Sequence, residues 1–165
     1  MQLGRVLRHL FAGEGAARRA FTPATLEAIE AAIGRHERRH DGEVRFVIEA
    51  GLPFSDLWRD VTSRDRALEL FGRFGVWDTE RNAGVLIYVL LADRHVEIIG
   101  DRGIHRQVGE TAWETICGAM QRAFAQGDFR QGALIGIEAV SDLLATYFPP
   151  QADNPDELPN RPIVM

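Results

Sequence analysis

Two histidines and a glutamate have the spacing that holds zinc in one class of proteases. The segment His36-Glu37-Arg38-Arg39-His40 reads H-E-x-x-H, in which histidines one helical turn apart bind zinc and the glutamate activates water. Asp41-Gly42 would end the helix at once, and two arginines would lie beside the cation. The alternative is that both histidines continue the apolar stripe of an ordinary helix while Glu37 stays in water. We therefore expect no zinc and keep a metalloprotease as the least favoured function.

A second group of polar residues suits a different metal. Carboxylate, amide and carbonyl oxygens are the ligands of Ca²⁺ and Mg²⁺, and the planar fork of arginine matches phosphate oxygens. The candidate metal ligands are Asp41, Asp78, Asn82 and Asp101, and the candidate phosphate-binding residue is Arg102. The alternative is that these are ordinary turn residues, since Asp and Asn form local backbone hydrogen bonds in turns.

Three predicted strands decide whether those residues meet. Residues 43–50 alternate in polarity, and residues 84–91 are apolar on both faces, which is typical of a central strand. Residues 95–100 follow a short polar turn and should form an antiparallel hairpin with the central strand. If the first two strands are parallel, their beginnings share one edge with the end of the third. The candidate site lies at that edge, and Asp93 lies at the opposite end.

Helical patterns surround these strands. Thr22-Pro23 is a good helix start, and the helix should run to about His40, with further helices within residues 55–74, 113–126 and 134–148. Cys117 lies on an apolar stripe, so we expect a buried small hydrophobic residue rather than a nucleophile. The predicted fold is α/β, a mixed β-sheet flanked by helices in a three-layer sandwich.

The chain ends differ from this α/β domain, which we assign to residues 21–148. Residues 1–20 carry a charge of +3 against −8 for the remainder and form a predicted basic amphipathic helical segment. We expect its apolar stripe to pack on the domain, with a membrane interface or a partner groove as alternatives. Residues 149–165 hold five of the seven prolines and should form an extended tail.

Composition excludes several classes of protein. With a net charge of −5 and no basic stripe, nucleic acid is not expected as a partner. A single cysteine allows no internal disulfide. There is no run of about 18 apolar residues, and arginines interrupt the apolar residues near the beginning, so neither a transmembrane segment nor a secretory signal is expected. We expect a cytoplasmic protein, peripheral at the membrane if its first helix binds there.

Four short motifs together resemble one known family. They are Asn82-Ala83-Gly84-Val85-Leu86, Asp93-Arg94, Gly100-Asp101-Arg102-Gly103-Ile104 and the segment from Phe124 to Gly132. In this combination, over about residues 22–148, the chain resembles the TPM domain family, which includes a thylakoid-lumen protein described as an acid phosphatase. Many relatives carry a signal peptide and a membrane helix. Since neither is expected in this chain, it is similar to the soluble bacterial branch of the family. Ala83 and Asp101-Arg102 depart from the usual pattern.

Two classes of function follow. The first, which we favour, is a binding or scaffold module, as some relatives in membrane-protein quality control or assembly are thought to be. Its partner would be an unknown protein or a membrane-associated complex. The second is a divalent-cation-dependent phosphatase, which the family resemblance and the acidic edge imply. No compact pair of nucleophile and base supports catalysis on its own.

Overall fold

A mixed sheet forms the centre of the computed structural model, which describes residues 3–151 and 157–165. Its strands are β1 (Glu43–Glu49), β2 (Gly84–Leu90), β3 (His95–Gly100) and β4 (Ile163–Val164). Their spatial order is β3-β2-β1-β4. Strands β1 and β2 are parallel and β2 and β3 are antiparallel, which confirms the predicted crossover and hairpin.

Helices cover both faces of this sheet. They are α1 (Leu3–Phe11), α2 (Glu14–Ala20), α3 (Pro23–His36), α4 (Phe54–Trp58), α5 (Ser63–Arg73), α6 (Arg102–Val108), α7 (Glu110–Ala125) and α8 (Phe129–Tyr147). The Thr22 hydroxyl caps α3 by accepting from the Thr25 amide, with Pro23 in the first turn. Among the described residues, no helix has the length and apolar character needed to cross a membrane.

The central strand β2 is buried along its whole length. Val85, Ile87 and Val89 belong to a hydrophobic core that includes α3, α7 and α8. Leu86, Tyr88 and Leu90 face a second core with α4 and α5. Burial on both sides explains the continuous apolar sequence of this strand. The predicted three-layer α/β fold is confirmed.

The end of α3 and the start of α6 differ from the sequence prediction. Helix α3 ends at His36 instead of His40, because residues 37–39 tighten into a 3₁₀ turn and His40 has an extended backbone. No helix was predicted directly after β3, but α6 begins there. The Asp101 carboxylate caps this helix by accepting from the Arg102 amide, which satisfies a free N–H group of the first turn.

The C-terminal residues complete the sheet. Ile163 and Val164 pair in parallel with Val47 and Ile48 of β1, and the Ala50 amide donates to the Met165 carbonyl over 2.9 Å. The tail is extended as expected, but the sequence did not predict this fourth strand. A stretch of two apolar residues is too short to indicate a strand by itself. Residues 152–156 of the predicted tail lie outside the described residues.

The first helix forms where the sequence predicted it and packs on the domain, but its apolar stripe is only partly buried. Leu7, Leu10 and Phe11 are exposed, whereas Val6 and His9 are buried. Helix α1 therefore turns much of its apolar side to solvent. The reason is a set of polar contacts on the opposite side of the helix, described below.

Candidate functional site

One edge of the sheet gathers the loops that were predicted to meet. Glu43 is paired with Gly84, and Val85 with Gly100, so β1 and β2 begin where β3 ends. The Asp101 amide donates to the Gly84 carbonyl over 2.8 Å. The β2–β3 turn with Asp93 lies at the other end, beyond the pairing of Leu90 with His95. The edge predicted from topology is therefore correct.

A recess of about 220 Å³ opens at this edge, lined by Arg81, Asn82, Arg102, Gly103 and Arg106. We call it the arginine recess. Arg102 and Arg106 are exposed and lie one turn apart on α6, while Arg81 and Asn82 come from the loop before β2. Its lining includes no carboxylate from the parts of the chain that the structure describes. The recess is therefore suited to an anion.

Two backbone features bring the loop and α6 together. A Cβ atom at Gly103 would lie closer than 3.0 Å to the Asn82 carbonyl oxygen, so only glycine permits this approach. Asn82 itself has a φ of 53°, a left-handed conformation that asparagine adopts more readily than most residues. The wall of the recess therefore depends on the residue types at both positions.

Arg81 is held in place before any ligand binds. Its Nη1 lies 2.7 Å from Asp41 Oδ2, and its guanidinium lies 5.2 Å from the centroid of the Phe148 ring. Asp41 is buried, and its Oδ1 accepts from the Gln151 amide over 2.8 Å. Both oxygens of this predicted metal ligand are thus already engaged by protein groups.

The other predicted ligands have different environments. Asp78 is exposed and does not line the recess, whereas Asn82 and Arg102 do. Asp101 is buried; its Oδ1 accepts from the Arg102 amide over 2.7 Å, and its Oδ2 has no hydrogen-bond partner within the described residues. No group of three or more His, Cys, Asp or Glu side chains that could hold a metal is present in residues 3–151 and 157–165. Metal binding at Asp41, Asp78, Asn82 and Asp101 stays a prediction.

The H-E-R-R-H segment joins α3 to β1 instead of forming one helical face. The Glu37 carboxylate accepts from the Val44 amide over 3.3 Å, so it does not simply stay in water. His40 is buried, and its Nδ1 lies 2.9 Å from the Gly42 carbonyl oxygen. Burial lowers the pKa of His40 to about 4, which keeps the ring neutral at neutral pH. Since α3 ends at His36, the two histidines do not occupy the helical spacing that the protease motif requires.

A second cavity, of about 430 Å³, lies beside Cys117 and His95 between β3 and α7. Burial raises the pKa of Cys117 to about 12, so the thiol stays protonated. His95 Nε2 lies 3.1 Å from Glu97, and its Nδ1 lies 3.2 Å from Gln121. The Cys117 thiol is therefore not an activated nucleophile. Cys117 is half-buried and lines this cavity, so it is less buried than the sequence predicted.

A buried polar network crosses the other core and was missed by the sequence analysis. Glu49 Oε1 and Oε2 receive two hydrogen bonds from Arg66, of 2.7 and 3.0 Å. The Tyr88 hydroxyl donates to Glu49 Oε2 over 2.6 Å, and burial together with this carboxylate raises the pKa of Tyr88. Every member is satisfied, which is the condition for stable burial of such groups. We assign the network to stability.

Comparison with known proteins now places the chain. A protein-family model described as TPM domain matches residues 17–143. The solution structure of the BA42 protein from the psychrophilic bacterium Bizionia argentinensis is similar, with 36% sequence identity, a TM-score of 0.77, and coverage of 88% of this chain and 95% of that chain. No curated protein matches the chain.

More distant structures share the fold alone. The N-terminal domain of a P. gingivalis protein has 21% identity and a TM-score of 0.61, covering 77% of this chain and 78% of that chain. The N-terminal domain of the cg2496 protein from Corynebacterium glutamicum has 16% identity and a TM-score of 0.53, with coverage of 74% and 73%.

Proposed function

This chain belongs to the TPM domain family, and we propose that it acts as a binding module for phosphorylated ligands, held in the arginine recess. The observation that carries the proposal is that three arginines and one asparagine line a single recess. A guanidinium group can donate two parallel hydrogen bonds to the oxygens of one phosphate, and it remains charged at every physiological pH. A phosphoryl group therefore fits the chemistry of the recess.

The three arginines would contribute in different ways. Arg81 is oriented by Asp41 and Phe148, so little side-chain entropy is lost when it contacts a ligand. Arg102 and Arg106 are exposed, so their charge is accessible to an anion. Together the three arginines provide an oriented donor and exposed positive charge.

Binding without catalysis is favoured by what lines the recess. Hydrolysis of a phosphate ester needs a nucleophile or a base that activates water. The lining residues of the described chain are arginine, asparagine and glycine, which serve neither role. His105 on the same helix is directed instead toward Glu110, with Nε2 3.9 Å from its carboxylate.

Replacing Arg102 and Arg106 together by alanine should weaken phosphate binding at least about tenfold. A hydrogen bond to a charged group contributes about 1.5 to 3 kcal/mol, and about 1.4 kcal/mol corresponds to a tenfold change. Proton–nitrogen NMR titration with inorganic phosphate measures the dissociation constant and shows which amides shift. The parent protein should show its largest shifts around residues 81–82 and 102–106.

Arg130→Ala provides the matched control, because Arg130 is an exposed helical arginine outside the recess. It should change phosphate affinity less than about twofold, since distant surface charges are screened. Parent protein that shows no saturable shifts, or an equal loss of affinity in the control, would remove the proposal.

A divalent-cation-dependent phosphatase is the second candidate, and one observation favours it. Asp101 Oδ2 is buried beside α6 without a hydrogen-bond partner among the described residues. A carboxylate oxygen of this kind can coordinate a hard cation such as Ca²⁺ or Mg²⁺. Asp101→Asn should weaken Ca²⁺ or Mg²⁺ binding severalfold while the fold is kept, because asparagine caps helices about as well as aspartate.

Calorimetric titration of the parent, Asp101→Asn and Asp93→Asn proteins with each cation tests this candidate. Asp93→Asn, at the opposite end of the sheet, should bind as the parent does. If the parent protein gives no binding heat, cation binding is excluded, and the cation-dependent phosphatase is excluded with it. Mg²⁺-dependent release of phosphate from a phenyl phosphate ester, lost in Asp101→Asn, would instead replace the pure binding module.

A further inference from the structure

Helix α1 is docked by its polar side. His9 Nε2 lies 2.9 Å from Asp93 Oδ1, and Arg5 Nε lies 3.0 Å from Asp93 Oδ2. His9 Nδ1 also accepts from the Leu52 amide over 2.8 Å. Burial alone would raise the pKa of Asp93, but the hydrogen bonds from Arg5 and His9 outweigh it and hold that pKa below its usual value. The carboxylate is therefore charged and fixes the orientation of the helix.

This docking directs apolar side chains outward. Leu10 and Phe11 are 60% and 83% exposed, and Leu7 is also exposed. Amphipathic helices on soluble domains normally bury this side. The exposure results from the specific contacts to Asp93, since α1 could not keep them and also turn its leucines inward.

Helix α4 packs against α1 and adds aromatic side chains to the same end of the molecule. Phe54 and Trp58 are both more than half exposed, and their ring centroids are 6.2 Å apart. Leu57, between them in sequence, is buried and anchors the helix. We call Leu7, Leu10, Phe11, Phe54 and Trp58 the apolar cap.

Positive charge accompanies the apolar cap. The side chains of Arg8 and Arg59 are 59% and 69% exposed, while Arg8 Nη2 lies 3.8 Å from Asp93 Oδ1 and Arg59 Nη2 lies 2.7 Å from Asp56 Oδ1. Residues 1–20 carry +3, whereas the rest of the chain carries −8. A second copy of the chain would bring two such positive segments together, which disfavours a symmetric dimer through this surface. An anionic surface would attract this end of the molecule and repel the remainder.

We propose that the apolar cap inserts into the boundary between headgroups and acyl chains of an anionic lipid bilayer. Surfaces that bind the headgroup–acyl boundary of a bilayer typically have tryptophan, phenylalanine and leucine on one side and arginine beside them. Anionic headgroups would contact Arg8 and Arg59. Because α1 and α4 lie at the end of the sheet opposite the arginine recess, the recess would face away from the membrane. This inference does not depend on what the recess binds.

Vesicle flotation tests the proposal with the full chain. The parent protein should float with vesicles of phosphatidylcholine and phosphatidylserine, and at least about tenfold less with phosphatidylcholine alone, because each nearby arginine adds attraction to an anionic surface. Leu10→Ser/Phe11→Ser should lower the partition coefficient on the mixed vesicles at least about tenfold, since two inserted side chains are lost. Arg8→Glu should also lower it.

Leu68→Ser/Trp77→Ser is the matched control, because both residues are exposed apolar residues outside the cap. It should float like the parent. Trp58→Ser changes the other helix and provides an independent test should the α1 variant fold poorly. Parent protein that does not float with anionic vesicles overturns the proposal. So does a parent dimer, measured by light scattering, that Leu10→Ser/Phe11→Ser converts to monomer, because the occupant would then be a second copy.

Discussion

Arg66→Ala should lower the free energy of unfolding by about 3 to 5 kcal/mol, because removing one partner of a buried ion pair leaves the other charge uncompensated. Arg66 and Glu49 are both nearly inaccessible to solvent and form two parallel hydrogen bonds of 2.7 and 3.0 Å. Without the guanidinium, the carboxylate of Glu49 would keep the Tyr88 hydroxyl as a donor but no positive charge. Urea unfolding followed by circular dichroism at neutral pH measures the change.

Arg64→Ala is the matched control on the same helix. Its ion pairs with Glu97 and Glu110 are at the surface, with 39% of the arginine side chain exposed, so the loss should stay below about 1 kcal/mol. Glu49→Gln/Arg66→Met should be less destabilised than Arg66→Ala alone, because it removes both charges from the core. Equal losses in Arg64→Ala and Arg66→Ala would contradict a dominant role for the buried pair.

The sheet was predictable because its strands have strong local signals. The seven residues of β2 are apolar and fully buried on two faces, and the polar turn after it allows only an antiparallel return. Once β1 and β2 are joined by helices, a parallel pairing follows. The edge that carries Asn82 and Asp101 could therefore be located from the sequence alone.

The arginine recess was only partly predictable. Arg102 was identified, but Arg106 was not, because no helix was predicted after β3 and Gly103 is a weak helix former. Asp101 is a helix cap by position, yet the same residue type is common in turns. Arg81 was missed since its partners, Asp41 and Phe148, are far away in sequence.

The orientation of α1 illustrates a limit of periodicity. Hydrophobic spacing predicts a helix and a stripe, but the side that docks is decided here by Asp93, which lies 84 residues after His9. Nothing in the local sequence indicates that contact. Strand β4 could not be predicted for the same reason. The hydrogen bonds that hold this end of the chain join Met165 to Ile48 and Ala50, which are distant in sequence.

The second large effect is expected at Gly84, the first residue of β2. A Cβ atom here would overlap the backbone carbonyl of Val76, closer than 3.0 Å, and a clash with backbone cannot be relieved by a side-chain rotamer. Gly84 is also held between strands, paired with Glu43 and accepting from the Asp101 amide. Gly84→Ala should therefore destabilise the fold by at least about 3 kcal/mol, the upper range for an overpacked core.

Gly72→Ala makes the same substitution at a position with space for a Cβ atom. It should raise the free energy of unfolding, whereas Gly84→Ala should lower it. Gly72 lies inside α5, and nothing approaches within 4 Å of the position of its missing Cβ. Alanine there should add about 0.5 to 1 kcal/mol, because it restricts the unfolded chain and favours the helix. Chemical denaturation of both variants with the parent measures the difference. If the free energy of unfolding of Gly84→Ala lies within about 1 kcal/mol of the parent value, the loop at Val76 must shift easily. This edge of the sheet would then be less rigid than a preformed recess requires.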